Sequence, residues 1–239
     1  MALTPRDDAS AAVSARPRPR ILLVGDSLLV EATPHVKRLA DKAGVAVDIQ
    51  ARKGTAICDW VGAMPGIRAR FKPQIAVLAF SGNNLTPCVK DARGRGLQGS
   101  SLGVRYYYDI EAMSGRLNGL EVFWVQPPAR KWWTQGAQAV TAAYADATRW
   151  RPDARLIEGG ALISPGRVWS ETQPCLPEEP CTGPKVSGVR HNVVRGADGL
   201  HFCPSSPGFT AHCDRYASGA YRYARAILLP VVRELGRTT

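Results

Sequence analysis

Five short apolar runs, at 20–25, 45–50, 75–80, 121–125 and 154–158, alternate with stretches of helical periodicity along the chain. Runs of this kind suit strands buried on both faces, and strands separated by helices suit a parallel sheet covered on either side. Between the first two runs Ala32, Val36, Leu39, Ala40 and Ala43 recur at helix spacing, and Gly44 stands where a helix commonly stops. Towards the C-terminus Tyr216, Ala220, Tyr223, Ala224, Ile227, Leu228 and Val231 repeat the pattern. With right-handed crossovers this predicts an α/β fold, a flavodoxin-like three-layer α/β/α sandwich around a central parallel sheet of about five strands. Sites on such sheets lie at the carboxyl ends of the strands.

At 239 residues the chain can bury one substantial core, so a single domain over 20–239 is expected, behind a disordered lead-in, 1–19, rich in Ala, Pro, Arg and Ser. No stretch approaches the ~20 consecutive apolar residues of a membrane span, and the lead-in lacks the apolar centre of a signal peptide. The net charge is +11, but the arginines (Arg68, Arg70, Arg93, Arg95, Arg149, Arg151, Arg155) are scattered without interleaved aromatics. They read as a solvated basic face, and no nucleic-acid partner is expected.

Two segments resist regular structure: 86–105, rich in Gly and Arg, and 159–198, with five prolines and no period. Long irregular connections are usually functional, mobile or stapled. Within the first, Gly94-Arg95-Gly96-Leu97-Gln98-Gly99 matches G-x-G-x-x-G, but the strand before and the helix after that a dinucleotide site needs are not apparent. Gly99-Ser100-Ser101-Leu102-Gly103 matches G-x-S-x-G without a buried strand ahead of it. Neither is read as a site.

Six cysteines, Cys58, Cys88, Cys175, Cys181, Cys203 and Cys213, make an even count with no C-x-x-C pair, so no metal is expected. They are disulfides or free thiols. The preferred pairing is Cys58–Cys88, Cys175–Cys181 and Cys203–Cys213, because the first would join the loops after Gly54 and Asn83 while the others close short local loops. Disulfides lean towards an extracytoplasmic location; the lack of a visible export signal leaves a cytoplasmic one open.

The chemistry gathers at the strand ends. Gly25-Asp26-Ser27-Leu28 closes the first run, which makes Ser27 either a nucleophile at the sheet edge or a helix N-cap. Gly54 follows the second run, Ser81-Gly82-Asn83-Asn84 the third, and Asp198-Gly199-Leu200-His201 precedes the last helix. In this order the blocks resemble those of the SGNH hydrolases, also called the GDSL esterase/lipase family. The resemblance implies that Ser27 attacks, His201 serves as base and then acid, and Asp198 orients His201. It also implies an oxyanion hole from the N–H of Ser27, the N–H of Gly54 and the amide of Asn83. The family commonly has G-x-N-D where this chain has Asn84, so either Asn83 or Asn84 faces the substrate. His35, His191 and His212 lack matching context.

After the fourth run comes Gln126-Pro127-Pro128-Ala129-Arg130-Lys131-Trp132-Trp133. Trp132 and Trp133 either pack under the long loop or wall a substrate pocket, where they suit a sugar face or an acyl chain. The expected activity is a serine esterase, without cofactor, acting on an acetyl or short-chain ester of a carbohydrate or small glycoconjugate. An O-acyltransferase to or from a sugar hydroxyl and a non-catalytic binding module are the alternatives.

Overall fold

A computed structural model of the chain describes residues 17–132, 134–203, 213 and 216–237. The expected lead-in lies, up to residue 16, outside the described residues. Strands β1 (Arg20–Gly25), β2 (Ala46–Ala51), β3 (Ile75–Ala79), β4 (Glu121–Gln126) and β5 (Ala154–Glu158) form one parallel sheet in the order β2-β1-β3-β4-β5. The chain winds from β1 to β2, then crosses back over β1 to β3 and on to β4 and β5. The direction reverses between β1 and β3, and that reversal opens a crevice beyond their carboxyl ends.

The three central strands, β1, β3 and β4, bury both faces, while the edge strands β2 and β5 are only partly covered. Ile21 and Leu23 point to a core shared with α1 (Ser27–Lys42) and α6 (Ser218–Arg237). Leu22 and Val24 point to a second core shared with α2 (Cys58–Val61), α3 (Met64–Phe71), α4 (Gly99–Arg116) and α5 (Thr134–Arg149). This is the three-layer sandwich the runs predict. No described helix is long and apolar enough to cross a membrane.

The two segments read as irregular are partly ordered. Helix α4 starts at Gly99, so a helix does follow the G-x-G-x-x-G stretch; what precedes it is a 3-10 turn, Pro87–Val89, and a turn closed by a Lys90–Gly96 bridge. The G-x-S-x-G residues form the start of α4 instead of a strand-to-helix elbow. Residues 159–198 contain a small antiparallel sheet of β6 (Thr172–Pro174), β7 (Lys185–Val186) and β8 (Val189–Val193), in the order β6-β8-β7. β6 and β7 are too short to display a period, and β8, though as long as β3 or β5, is polar and largely uncovered, with Asn192 its one buried residue. Glu179 fastens this segment to α6: its buried carboxylate accepts from Ser218 Oγ at 2.6 Å and pairs with the buried Arg222 guanidinium. The three disulfides are Cys58–Cys88, Cys175–Cys181 and Cys203–Cys213, as preferred from the sequence.

Helix α1 begins at Ser27, five residues before Ala32, where the expected apolar period starts; its first turn already buries Leu28 and Leu29, beside the polar Ser27 and Glu31. Further along the buried face of α1, His35 packs edge-on against Tyr216 and Tyr221, each ring 5.6 Å away. Burial, with Arg38 nearby, pushes its pKa down to about 4. Below the ordinary histidine value of 6.5 the unfolded chain takes up a proton that the folded chain refuses. The thermal midpoint is therefore expected to fall as pH drops from 6.5 towards 4, and to fall less in His35→Phe when both are followed by calorimetry.

Candidate active site

Strand β1 runs straight into α1, and Asp26 at the junction caps the helix, its Oδ1 accepting the Leu28 N–H at 3.1 Å. With the cap filled by Asp26, the sequence alternative of Ser27 as N-cap does not hold. Ser27 opens the helix, nearly buried at 5% exposure, and its Oγ lies 2.9 Å from His201 Nε2. His201 Nδ1 lies 2.6 Å from Asp198 Oδ2. The other oxygen, Asp198 Oδ1, accepts the N–H groups of Leu200 at 3.0 Å and His201 at 2.9 Å, so the loop is folded around its own carboxylate. Burial opposes ionisation of Asp198, but the bonds from the His201 ring and these two N–H groups outweigh it and hold the carboxyl below the usual range. A proton on Nδ1, facing the carboxylate, leaves the Nε2 lone pair for the Ser27 hydroxyl.

Glu31 stands one helical turn beyond Ser27, and its buried carboxylate accepts the N–H of Phe202 at 2.7 Å. It thereby ties the helix bearing the serine to the residue after His201. Burial raises its pKa, the Phe202 bond only partly offsetting it, with His201, Asp198 and Lys53 the charges around it. A raised carboxyl pKa means that stability declines as pH rises from the unfolded value of 4.5 through the folded one. Glu31→Gln keeps an acceptor for Phe202 and is expected to flatten that decline. Glu31→Ala strands a buried N–H and is expected to cost about 1–3 kcal/mol in denaturant unfolding.

Arg195 fastens the same loop from the other side. Its buried guanidinium donates to Leu200 O at 2.6 Å and Ala129 O at 2.7 Å and lies over the Phe202 ring. Burial pushes its pKa down to about 9.

A second network joins the ends of β1, β2 and β3. Asp26 Oδ2, fully buried, accepts the Ser81 N–H at 2.5 Å and the Asn83 amide at 3.1 Å, and the same amide nitrogen donates to Thr55 O at 2.9 Å. Tyr106 donates to Asn83 O at 3.1 Å and Tyr144 to Phe80 O at 2.9 Å, fixing the loop after β3 from below. Gly54, beside Thr55, has φ +69°, a conformation glycine adopts without strain. The Cys58–Cys88 bridge and the Thr86 hydroxyl, donating to Asp59 at 2.7 Å, tie the loops after Gly54 and Asn83 together. Asn84 turns elsewhere: its amide donates to Leu97 O at 2.8 Å and pins the loop ahead of α4.

The sequence-predicted residues Ser27, Asp198 and His201 thus meet, with Gly54 and Asn83 at the neighbouring strand ends. Trp132 is 63% exposed, and Trp133 lies outside the described residues, as does His212. His191 Nδ1 pairs with Thr172 Oγ1 at 3.1 Å in the small sheet, away from this cluster in the hydrogen-bond network. Sequence reading missed Asp26, Glu31, Thr55, Tyr106 and Arg195. Glu31 had a signal, an acid at the i+4 position from Ser27 on the buried face of α1. Asp26 had one too, as an acid immediately before a helix, although its bonds to Ser81 and Asn83 are long-range; Thr55, Tyr106 and Arg195 act through long-range contacts that no local pattern announces.

No family model matches the sequence, and no curated protein does either. Solved structures do match. A carbohydrate esterase family 3 protein from Talaromyces cellulolyticus superposes with a TM-score of 0.58 at 14% identity, covering 92% of this chain and 100% of that one. A lipase/acylhydrolase from Enterococcus faecalis gives 0.55 at 17% identity over 92% and 96%. The catalytic domain of a peptidoglycan O-acetyltransferase from Streptococcus pneumoniae gives 0.56 at 16% identity over 92% and 96%. Likeness at such identities is likeness of fold, and with the strand order above it shows that this chain has the SGNH hydrolase fold.

Proposed function

We propose that this chain is a serine esterase that removes an acetyl or other short acyl group from a carbohydrate or small glycoconjugate. The observation that carries the reading is the continuous hydrogen-bond chain from Ser27 Oγ through His201 to Asp198, at 2.9 and 2.6 Å. In this mechanism Ser27 Oγ bonds to the ester carbonyl carbon as its proton passes to His201 Nε2. Asp198 stabilises the imidazolium so formed without taking the proton itself. The carbonyl oxygen becomes an oxyanion that the N–H groups of Ser27 and Gly54 and the Asn83 amide would hold. The Ser27 N–H, first in its helix, has no intrahelical acceptor and is available for this. Collapse of the intermediate breaks the ester C–O bond, and His201 returns its proton to the departing alkoxide. Water repeats the sequence on the acyl-enzyme and releases the acid and Ser27.

The carbohydrate part of the reading rests on the exposed Trp132 beside the catalytic loop and on likeness of fold to the carbohydrate esterase and the peptidoglycan O-acetyltransferase domain above. The same exposed indole favours a second reading, transfer of the acyl group to a sugar hydroxyl, since a held acceptor can outcompete water by orientation. The test uses aryl acetate hydrolysis together with a sulfonyl fluoride and peptide mapping. Turnover with the covalent mass on Ser27 is expected; no turnover of any aryl ester and no label on Ser27 would overturn the esterase reading. Adding glycans during turnover and weighing free acetate against acetylated sugar separates hydrolysis from transfer.

A further inference from the structure

Two separate parts of the chain, at Lys131 and Trp169, converge on one residue of the catalytic loop. Gly199 O, between Asp198 and His201, accepts both the Lys131 N–H and the Trp169 indole N–H, each at 3.1 Å. The Lys131 side chain lies so close over Gly199 that a Cβ there would meet Lys131 Cβ at 2.4 Å, and Gly199 has φ +69° besides, so both space and conformation demand glycine. The Lys131 ammonium then sits 5.0 Å from the ring centre of Trp132 and 5.0 Å from that of Trp169.

Two indole faces fix the ammonium by cation–π attraction without neutralising it, whereas a carboxylate would cancel its charge. The acid of this loop, Asp198, is committed to His201, and none of the ion pairs among the described residues includes Lys131. Beside it Trp132 remains 63% exposed, a large flat apolar surface at the rim of a catalytic loop. An aromatic plane suits the C–H face of a sugar ring, and a preorganised cation suits an anionic substituent on that sugar or the next one. The net charge of +11 supplies a long-range field of the same sign.

We propose that Lys131, Trp132 and Trp169 form a subsite for an acidic saccharide, with Trp132 stacking the ring and Lys131 pairing with its carboxylate or phosphate. The inference rests on the carbohydrate reading above and narrows it to anionic glycans. Binding is measured by calorimetry on the Ser27→Ala protein, so that turnover does not enter, with three probes: an oligogalacturonate, glucose 6-phosphate and a neutral cello-oligosaccharide. The oligogalacturonate is expected to bind at least about fivefold more tightly than the neutral chain at low salt, with the advantage shrinking as salt is raised. Glucose 6-phosphate separates the two anions: preference for it over the uronate assigns the charge to phosphate. Lys131→Met is expected to erase the preference for acidic ligands, and Trp132→Ala to weaken acidic and neutral chains alike, both variants being checked for native circular dichroism. Equal affinity for acidic and neutral chains, or an acidic preference that survives Lys131→Met, would overturn the proposal. Aryl acetate turnover by the unmutated protein is measured alongside. Turnover with no acidic preference sinks the subsite alone, whereas the absence of turnover sinks the esterase reading independently of the binding result.

Discussion

Ser27→Ala and His201→Ala are each expected to lower aryl acetate turnover by at least about 10³-fold, and the double variant to be little worse than either, because nucleophile and base act as a unit. Asp198→Asn is expected to be nearly as damaging, and the hydrogen bonds around Asp198 say why. Oδ1 already accepts two backbone N–H groups, from Leu200 and His201. An asparagine placed there would keep its oxygen on those donors and present its NH2 to His201 Nδ1. That reverses the tautomer: the ring proton moves to Nε2, which can then no longer accept from Ser27. Steady-state kinetics on the four variants, each with unchanged circular dichroism, checks the set. An Asp198→Asn enzyme with near-native kcat would show that the carboxylate does not set the tautomer, and a Ser27→Ala enzyme at native rate would remove the triad assignment.

What the sequence could reveal here follows from how each feature is stabilised. The central strands β1, β3 and β4 were legible because a parallel strand buried on both faces must be apolar along its length, and the edge strands β2 and β5 keep enough of that pattern to be read; the expected runs and the observed strands differ by no more than one residue at either end. That Ser27, Gly54 and Asn83 stand together at strand ends was legible from the order of the blocks that resemble those of the SGNH hydrolases, and from the rule that the site of such a sheet sits where strands stop. The disulfide between Cys58 and Cys88 was legible because each cysteine follows a strand-end block. The start of α4 was not, since Gly94, Gly96, Gly99 and Gly103 mask a helix whose other face, Leu102, Tyr106, Ile110 and Met113, is fully buried. Nor were Arg195 and Trp169, whose work is to bind the carbonyls of Leu200 and Gly199 from other elements. A side chain whose partner is a backbone atom selected by tertiary packing leaves no period, spacing or motif behind.

Asn83→Ala is expected to lower kcat by about 10²–10³-fold with a smaller change in KM, the usual loss for one oxyanion donor. Asn83 is also structural, which complicates a simple reading of that loss. Its amide nitrogen donates to Asp26 Oδ2 and to Thr55 O, so both hydrogens are engaged before any substrate arrives. To serve the oxyanion, one of these bonds must open or be shared, and the longer one, at 3.1 Å to Asp26, is the weaker candidate to persist. Truncation therefore removes a donor to the transition state and also leaves the buried Asp26 carboxylate and the Thr55 carbonyl short of a partner, worth about 1–3 kcal/mol of stability. The two effects separate experimentally. A sulfonyl fluoride titration counts correctly folded sites, and kcat per titrated site then reports the oxyanion contribution alone, while denaturant unfolding reports the structural one. Asn84→Ala is the control: its amide holds Leu97 O, so it is expected to loosen the loop ahead of α4 with a smaller change in kcat per site. If Asn84→Ala shows the larger per-site loss, the oxyanion donor is one residue further along than the Asp26–Asn83–Thr55 network implies.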